Sequence, residues 1–223
     1  MVLHGSALRS VSLEDTRPKL TLRGVFDADN RRIVFRRLIA LAAFVCALWA
    51  VQVLNWAVGY DLNPQFGLIP RRIVGLDGII GLPLLHGSYA HLISNTPPLL
   101  LMGALLALTA TRALIAVNGF IVVIGGSLVW LFGSSAIHIG ASGLVFGWFG
   151  FLVTRGFVDR SPITLAAALI VGLVYGSIVW GVLPGQPGIS WEAHLFGALA
   201  GAGAALIIPT HVHAPRLRNV DRR

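Results

Sequence analysis

Charge is scarce in this chain. Only 12% of its 223 residues are Asp, Glu, Lys or Arg, about half the roughly 25% of soluble domains. That deficit excludes an ordinary water-facing surface. Together with 56% hydrophobic residues and a mean hydropathy of +0.79, it marks an integral membrane protein. Cysteine is nearly absent as well: Cys46 stands alone, which excludes an intramolecular disulfide and a cysteine-rich metal site, and it reads as a packed residue of the first apolar run. Neither a metal nor a cofactor is expected. No secretory signal is expected either, because the first apolar run starts only at Leu38 and is too long for a signal core. Internal repeats and low-complexity tracts are lacking.

What the chain has is apolar runs of spanning length, since a helix needs about 20 mainly apolar residues to cross the hydrocarbon. They are Leu38 to Tyr60, Leu92 to Thr109, Ala113 to Phe132, Ile137 to Thr154, Ile163 to Leu183 and Trp191 to Pro209. The expected fold is an all-α membrane protein, a six-transmembrane-helix bundle. The formal charge of +8 raises nucleic acid as a partner, but the bases sort by loop. Arg9, Arg17, Lys19, Arg23, Arg31, Arg32, Arg36 and Arg37 precede the first span; Arg112 follows the second, Arg155 and Arg160 follow the fourth, and Arg216, Arg218, Arg222 and Arg223 close the chain. Only Arg71 and Arg72 lie on the other side. The positive-inside rule then puts both termini in the cytoplasm, and no nucleic-acid partner is expected. The chain divides into a polar basic N-terminal tail (1–35), a six-span domain (36–209) and a basic C-terminal tail (210–223), with His211 and His213 read as solvated. A multi-pass protein of the cell membrane follows, with the lipid bilayer as its medium.

Polar groups in hydrocarbon are costly unless they are paired or face water, so the intramembrane ones carry the information. Three clusters stand out: "HGSYAHLISN" with His86, His91 and Asn95; "GASG" with Ser142; and "WEAHLFGALAG" with His194. His91 and Asn95, four residues apart, share a helix face. Ser142 stands 13 residues before Arg155, and His194 stands 15 before Pro209. At about 1.5 Å per residue the two lie ~20 Å and ~22 Å above the cytoplasmic boundary, at one depth. Gly143 with Gly147, and Gly197 with Gly201, form small-xxx-small pairs that let the fourth and sixth spans approach closely. Taken singly, "GASG" fits helix packing, His194 an interfacial histidine, and the His91/Asn95 pair a bridge between helices. Their common depth and side favour one site.

A serine hydroxyl is a poor nucleophile until a base takes its proton, and neutral histidine is the usual base. Acyl transfer also needs donors where the oxyanion develops; the Ser142 backbone N–H and the His91 and Asn95 side chains can supply them. Glu192 is two residues from His194, about 200° round a helix, so it is expected to face away at the lip of the fifth loop, leaving a Ser-His dyad.

"HLISN", "GASGLVFG" and "AHLFGALAG", in that order on the second, fourth and sixth spans, resemble the rhomboid intramembrane serine proteases. The resemblance covers about residues 38 to 208. It implies Ser142 as nucleophile, His194 as general base, and His91 and Asn95 as oxyanion stabilisers, with Gly140 and Gly143 supporting the serine. It also implies substrates that are single-span membrane proteins, cut within or near the bilayer. Phe146 takes the place of an aromatic, often tyrosine, that packs on the catalytic histidine in relatives; the ring is kept and the hydroxyl lost. The first loop departs from the pattern: "GLIPRRIVGLDG" has Arg71 and Arg72 but no tryptophan. Pro97 and Pro98, just after Asn95, are expected to kink the second span. His86 matches a polar position at the cavity mouth, with water retention and loop stabilisation as alternative roles, and His138 is read as a loop residue. Trp148 and Trp191 read as packing or interface residues. A non-catalytic relative that binds membrane helices for quality control is the alternative; such relatives usually lack the serine or the histidine. A transporter would need charges at the bundle midplane, and the second to sixth spans hold only Glu192. The oligomeric state is left open.

Overall fold

Three helices of the bundle begin at a serine whose hydroxyl accepts from a first-turn N–H. The computed structural model describes residues 28–110 and 113–210. Most of the predicted tails, with Arg112, His211 and His213, lies outside them. The first long helix, α1 (Ala28–Ala57), starts ten residues before the predicted span and takes in the end of the predicted N-terminal tail. A first loop follows, built from α2 (Leu62–Phe66), a 3-10 turn, α3 (Gly78–Gly81) and a second 3-10 turn. The next helix, α4 (Tyr89–Thr109), starts at Ser88, whose side chain accepts from the His91 N–H, and continues through Pro97 and Pro98. Then come α5 (Leu114–Phe132, with a π turn at Ile121–Gly125), α6 (Ser142–Asp159) and α7 (Pro162–Tyr175, running on as a 3-10 segment to Val182). Ser161 caps α7 with Pro162 at its first position, and Ser190 caps the last helix, α8 (Trp191–Ile207). No strand occurs among the described residues, apart from an isolated bridge between Leu68 and His138.

Four helices are long and apolar enough to cross a membrane by length and composition: Asn30–Ala57, Tyr89–Thr109, Leu114–Phe132 and Pro162–Val182. Two are not in that set; α6 carries Arg155 and Asp159, and α8 has 17 residues. Large apolar side chains such as Ile115, Leu173 and Leu206 point outward from the bundle, as a lipid-facing surface requires. Cys46 corrects the expectation of a packed residue: it is exposed on the outer side of α1.

The centre of the bundle is the contact between α6 and α8. A Cβ on Gly197 would overlap the Gly143 carbonyl, and one on Gly201 the Gly147 carbonyl, so α8 rests directly on the backbone of α6. Gly150, which the sequence pattern did not single out, lies the same way against the Ala198 carbonyl. Gly147 meets α8 through its backbone only; its Cβ direction points at Ile121 of α5. Elsewhere in the bundle α1 packs on α4, and α7 packs on α6.

At the far end of this contact, Arg155 is buried rather than free in a loop. It donates to Asp159 (2.8 Å), the Ala205 carbonyl (2.7 Å) and the Thr210 hydroxyl (2.7 Å), joining the last turns of α6 and α8. Arg155 and Asp159 thereby correct the expectation that only Glu192 brings charge into these helices. They also explain why α6 runs beyond Thr154: the charge that seemed to end the span is fully partnered inside the fold.

Candidate active site

Residues 137–141, predicted to be the start of a span, are loop and turn instead. The His138 main chain pairs with Leu68 (2.8 and 3.1 Å), and the Gly140 N–H donates to the Leu82 carbonyl (2.8 Å). Gly140 then turns with φ +123, a conformation that side chains rarely adopt. A Cβ there would also lie 2.7 Å from the His91 ring. The chain turns into α6 at Ser142, its first residue.

The α6–α8 contact brings Ser142 opposite His194. The Ser142 hydroxyl is 2.8 Å from His194 Nε2. The other ring nitrogen, Nδ1, is 2.9 Å from the Gly181 carbonyl, which can only accept, so Nδ1 carries the hydrogen and Nε2 is left to accept from serine. No carboxylate takes that orienting place. Phe146, one turn along α6 from Ser142, stacks on the imidazole with ring centroids 4.1 Å apart and planes 7° from parallel. Gly181 fits the same packing: a Cβ would stand 2.9 Å from Phe146 and 3.0 Å from His194 Nδ1. Sequence reading passed over Gly181, because a carbonyl partner leaves no side-chain signature.

A cavity of about 570 Å³ opens over the pair, lined by His91, Ser94, Asn95, Ser134, His138 and Glu192 among others. Asn95 is 6% exposed, and its Nδ2 has no hydrogen-bond partner among the described residues. A buried amide donor left without an acceptor costs about 1–3 kcal/mol, so its place in the lining of the cavity it shares with Ser142 is chemically informative. His91 lies edge-on to His86, with ring centroids 5.0 Å apart.

His86 is fully buried rather than at the cavity mouth, in the loop ahead of α4. Its Nε2 accepts from the Ala141 N–H at 3.3 Å, one residue from Ser142. Burial, and then the neighbouring His91, push its pKa down to about 4, so the ring stays neutral as that bond requires. Its carbonyl is held by Asn55 of α1 (3.3 Å). Loop stabilisation is the role this geometry supports. Both His194 ring nitrogens are engaged elsewhere, and Glu192 is not at a lip: it is buried, lines the same cavity and accepts from the Ser134 N–H at 3.0 Å. In the first loop, Arg71 donates to the Gly133 carbonyl (2.7 Å) and Ser135 (3.2 Å), and so ties that loop to the segment after α5. Trp148 is a packing residue whose Nε1 donates to Asn118 at 2.8 Å.

A model of the Rhomboid domain matches residues 76–210, more than half of the chain and all of this site. The chain belongs to the rhomboid family. An uncharacterized protein of Mycobacterium tuberculosis is 38% identical over 177 residues, covering 75% of this rhomboid and 73% of that relative. One from Mycobacterium leprae is 33% identical over 179 residues, 76% and 70% of the two chains. RHOMBOID-like protein 4 of Arabidopsis thaliana is 33% identical over 160 residues, 67% of this chain and 40% of its own. With four helices able to cross a membrane, the rhomboid is a multi-pass integral membrane protein.

Proposed function

We propose that this rhomboid is an intramembrane serine endopeptidase that cuts single-span membrane proteins within or near the bilayer. The observation that carries this reading is the 2.8 Å contact between the Ser142 hydroxyl and an imidazole whose tautomer is fixed by the Gly181 carbonyl. His194 Nε2 takes the Ser142 proton as Oγ adds to the scissile carbonyl. The negative charge moves to the carbonyl oxygen, where the unpartnered Asn95 amide, His91 and the Ser142 N–H are the available donors. Collapse breaks the C–N bond, and His194 gives the proton to the departing amine. Water, deprotonated by the same imidazole, then attacks the Ser142 ester, releases the acid and restores both residues.

The surrounding architecture belongs to the same proposal. Six spans, with α6 and α8 completing the set, put residues 36–209 in the bilayer of the cell membrane and both tails in the cytoplasm. Glycine contacts between α6 and α8 hold nucleophile and base at one depth.

The test is to reconstitute the purified protein in liposomes with a panel of labelled single-span substrates and to map cut sites by mass spectrometry. Cleavage near the outer membrane face supports the assignment. Intact substrates throughout the panel, with retained binding, would turn the assignment to a helix-binding relative.

A further inference from the structure

We propose that His138 is a positioning residue of the Ser142–His194 pair, linking the loop ahead of Ser142 to the first turn of α8 through Ser190. This rests on the protease reading above. His138 is only 2% exposed, and both of its ring nitrogens are engaged. Nε2 is 3.0 Å from the Ser134 carbonyl, which accepts only, so Nε2 carries the hydrogen. Nδ1 is then bare, and the Ser190 hydroxyl, 2.6 Å away, donates to it.

Ser190 in turn holds the start of α8 twice. Its Oγ accepts from the Ala193 N–H at 3.3 Å, and its carbonyl accepts from the His194 N–H at 3.2 Å. A second strut runs alongside, from the Ser134 N–H to Glu192 at 3.0 Å. The His138 main chain is meanwhile fixed to Leu68 of the first loop. His138 stands four residues before Ser142, and Ser190 four before His194. One hydrogen bond therefore joins the approaches to the nucleophile and to the base.

The glycine contacts leave a gap that this link fills. Gly197 and Gly201 fix the separation of α6 and α8 further along the helices, and Gly143 lies against Ala193 in the first turn of α8, but packing alone does not set the rotation of that turn, which carries His194. A part-buried hydrogen bond, made by a ring whose two nitrogens are both engaged, sets that turn. Misplacement of a reacting group by about 1 Å costs on the order of 10²-fold in rate, so a modest relaxation here reaches the chemistry.

The experiment compares wild type, His138→Leu, His138→Asn, Ser190→Ala and the His138→Leu/Ser190→Ala double variant in liposomes. It reads kcat, KM, melting temperature, and hydrogen exchange at the amides of residues 190–194. His138→Leu is expected to lower kcat about 10- to 100-fold with KM within about twofold, within the range for lost positioning. Exchange at Ala193 and His194 rises while the melting temperature moves little. His138→Asn, which restores an acceptor towards Ser190, recovers part of kcat, and the double variant is no worse than the more impaired single variant. Unchanged exchange at 190–194 in His138→Leu, or a fall in activity that only tracks the folded fraction, overturns the proposal. If the wild type neither cleaves substrate nor reacts at Ser142, the protease reading fails and the positioning role falls with it; the exchange readout still decides whether His138 holds the α8 turn.

Discussion

Gly201 of α8 lies against the carbonyl oxygen of Gly147 in α6, with no room for a Cβ between them. Gly201→Val is therefore expected to separate the helices and slow labelling of Ser142 by a fluorophosphonate probe by tenfold or more. Overpacking also costs about 1–3 kcal/mol, to be read as a lower melting temperature. Gly147→Val acts by another route, since its side chain meets Ile121 of α5, and is expected to cost stability more than labelling rate. Equal labelling of Gly201→Val and wild type would show that the contact is not needed for the pair.

Asn95 separates a structural role from a chemical one. Because its Nδ2 has no partner among the described residues, Asn95→Ala removes no internal hydrogen bond from that nitrogen. Stability should change by less than about 1 kcal/mol, while kcat falls about 10²–10³-fold with KM nearly constant, as for an oxyanion donor. Thermal melts and steady-state kinetics on the same preparation check both halves. A large loss of stability with kcat per folded molecule unchanged would assign Asn95 to helix packing.

Arg155 joins α6 to the end of α8 through Asp159, the Ala205 carbonyl and Thr210. Arg155→Met removes the link to Asp159 and those to the Ala205 carbonyl and Thr210 together, and is expected to destabilise by at least about 1.5–3 kcal/mol, the typical worth of one hydrogen bond to a charged group. Arg155→Lys, which keeps a charge beside Asp159 but cannot reproduce the guanidinium fork to Ala205 and Thr210, should lose less. Denaturation in mixed micelles measures both.

His86 predicts an acid limb of stability. Its folded pKa of about 4 lies below the ordinary histidine value of 6.5, so below pH 6.5 the unfolded chain takes up a proton that the folded one refuses. Stability contributed by neutral His86 is therefore present above 6.5 and is lost as pH falls from 6.5 towards 4, by up to about 1.4 kcal/mol per pH unit. His86→Gln, which keeps an acceptor for Ala141, should flatten this limb. Identical limbs in the two proteins would contradict the assignment.

How much of this was legible in sequence follows from what carries each feature. Spacing along helices is periodic, so Ser142, His194 and the glycine pairs could be placed together from residue counts and helical rise. Contacts made by backbone are silent: the Gly181 carbonyl that orients His194 leaves no side-chain trace, and neither does the loop pairing that delays α6 to Ser142. Arg155 misled because a charge next to an apolar run reads as a boundary until its partners, 50 residues on at Ala205 and beyond, are known. Glu192 reads as a lip residue by position, yet it is buried, and its partner Ser134 comes from a loop that no periodicity describes. Cys46 was assigned to the core on composition alone, and in a lipid-facing helix an apolar neighbourhood does not mean burial.

The most direct measurement is active-site labelling together with turnover of one single-span substrate by wild type, Ser142→Ala, His194→Ala and the double variant in the same liposomes. The Ser142–His194 assignment predicts that only wild type is labelled by fluorophosphonate at Ser142. It also predicts that all three variants lose cleavage to a similar extent, because the pair works as a unit. All should keep wild-type melting temperatures to within a few degrees. Cleavage by Ser142→Ala at near wild-type rate would contradict it.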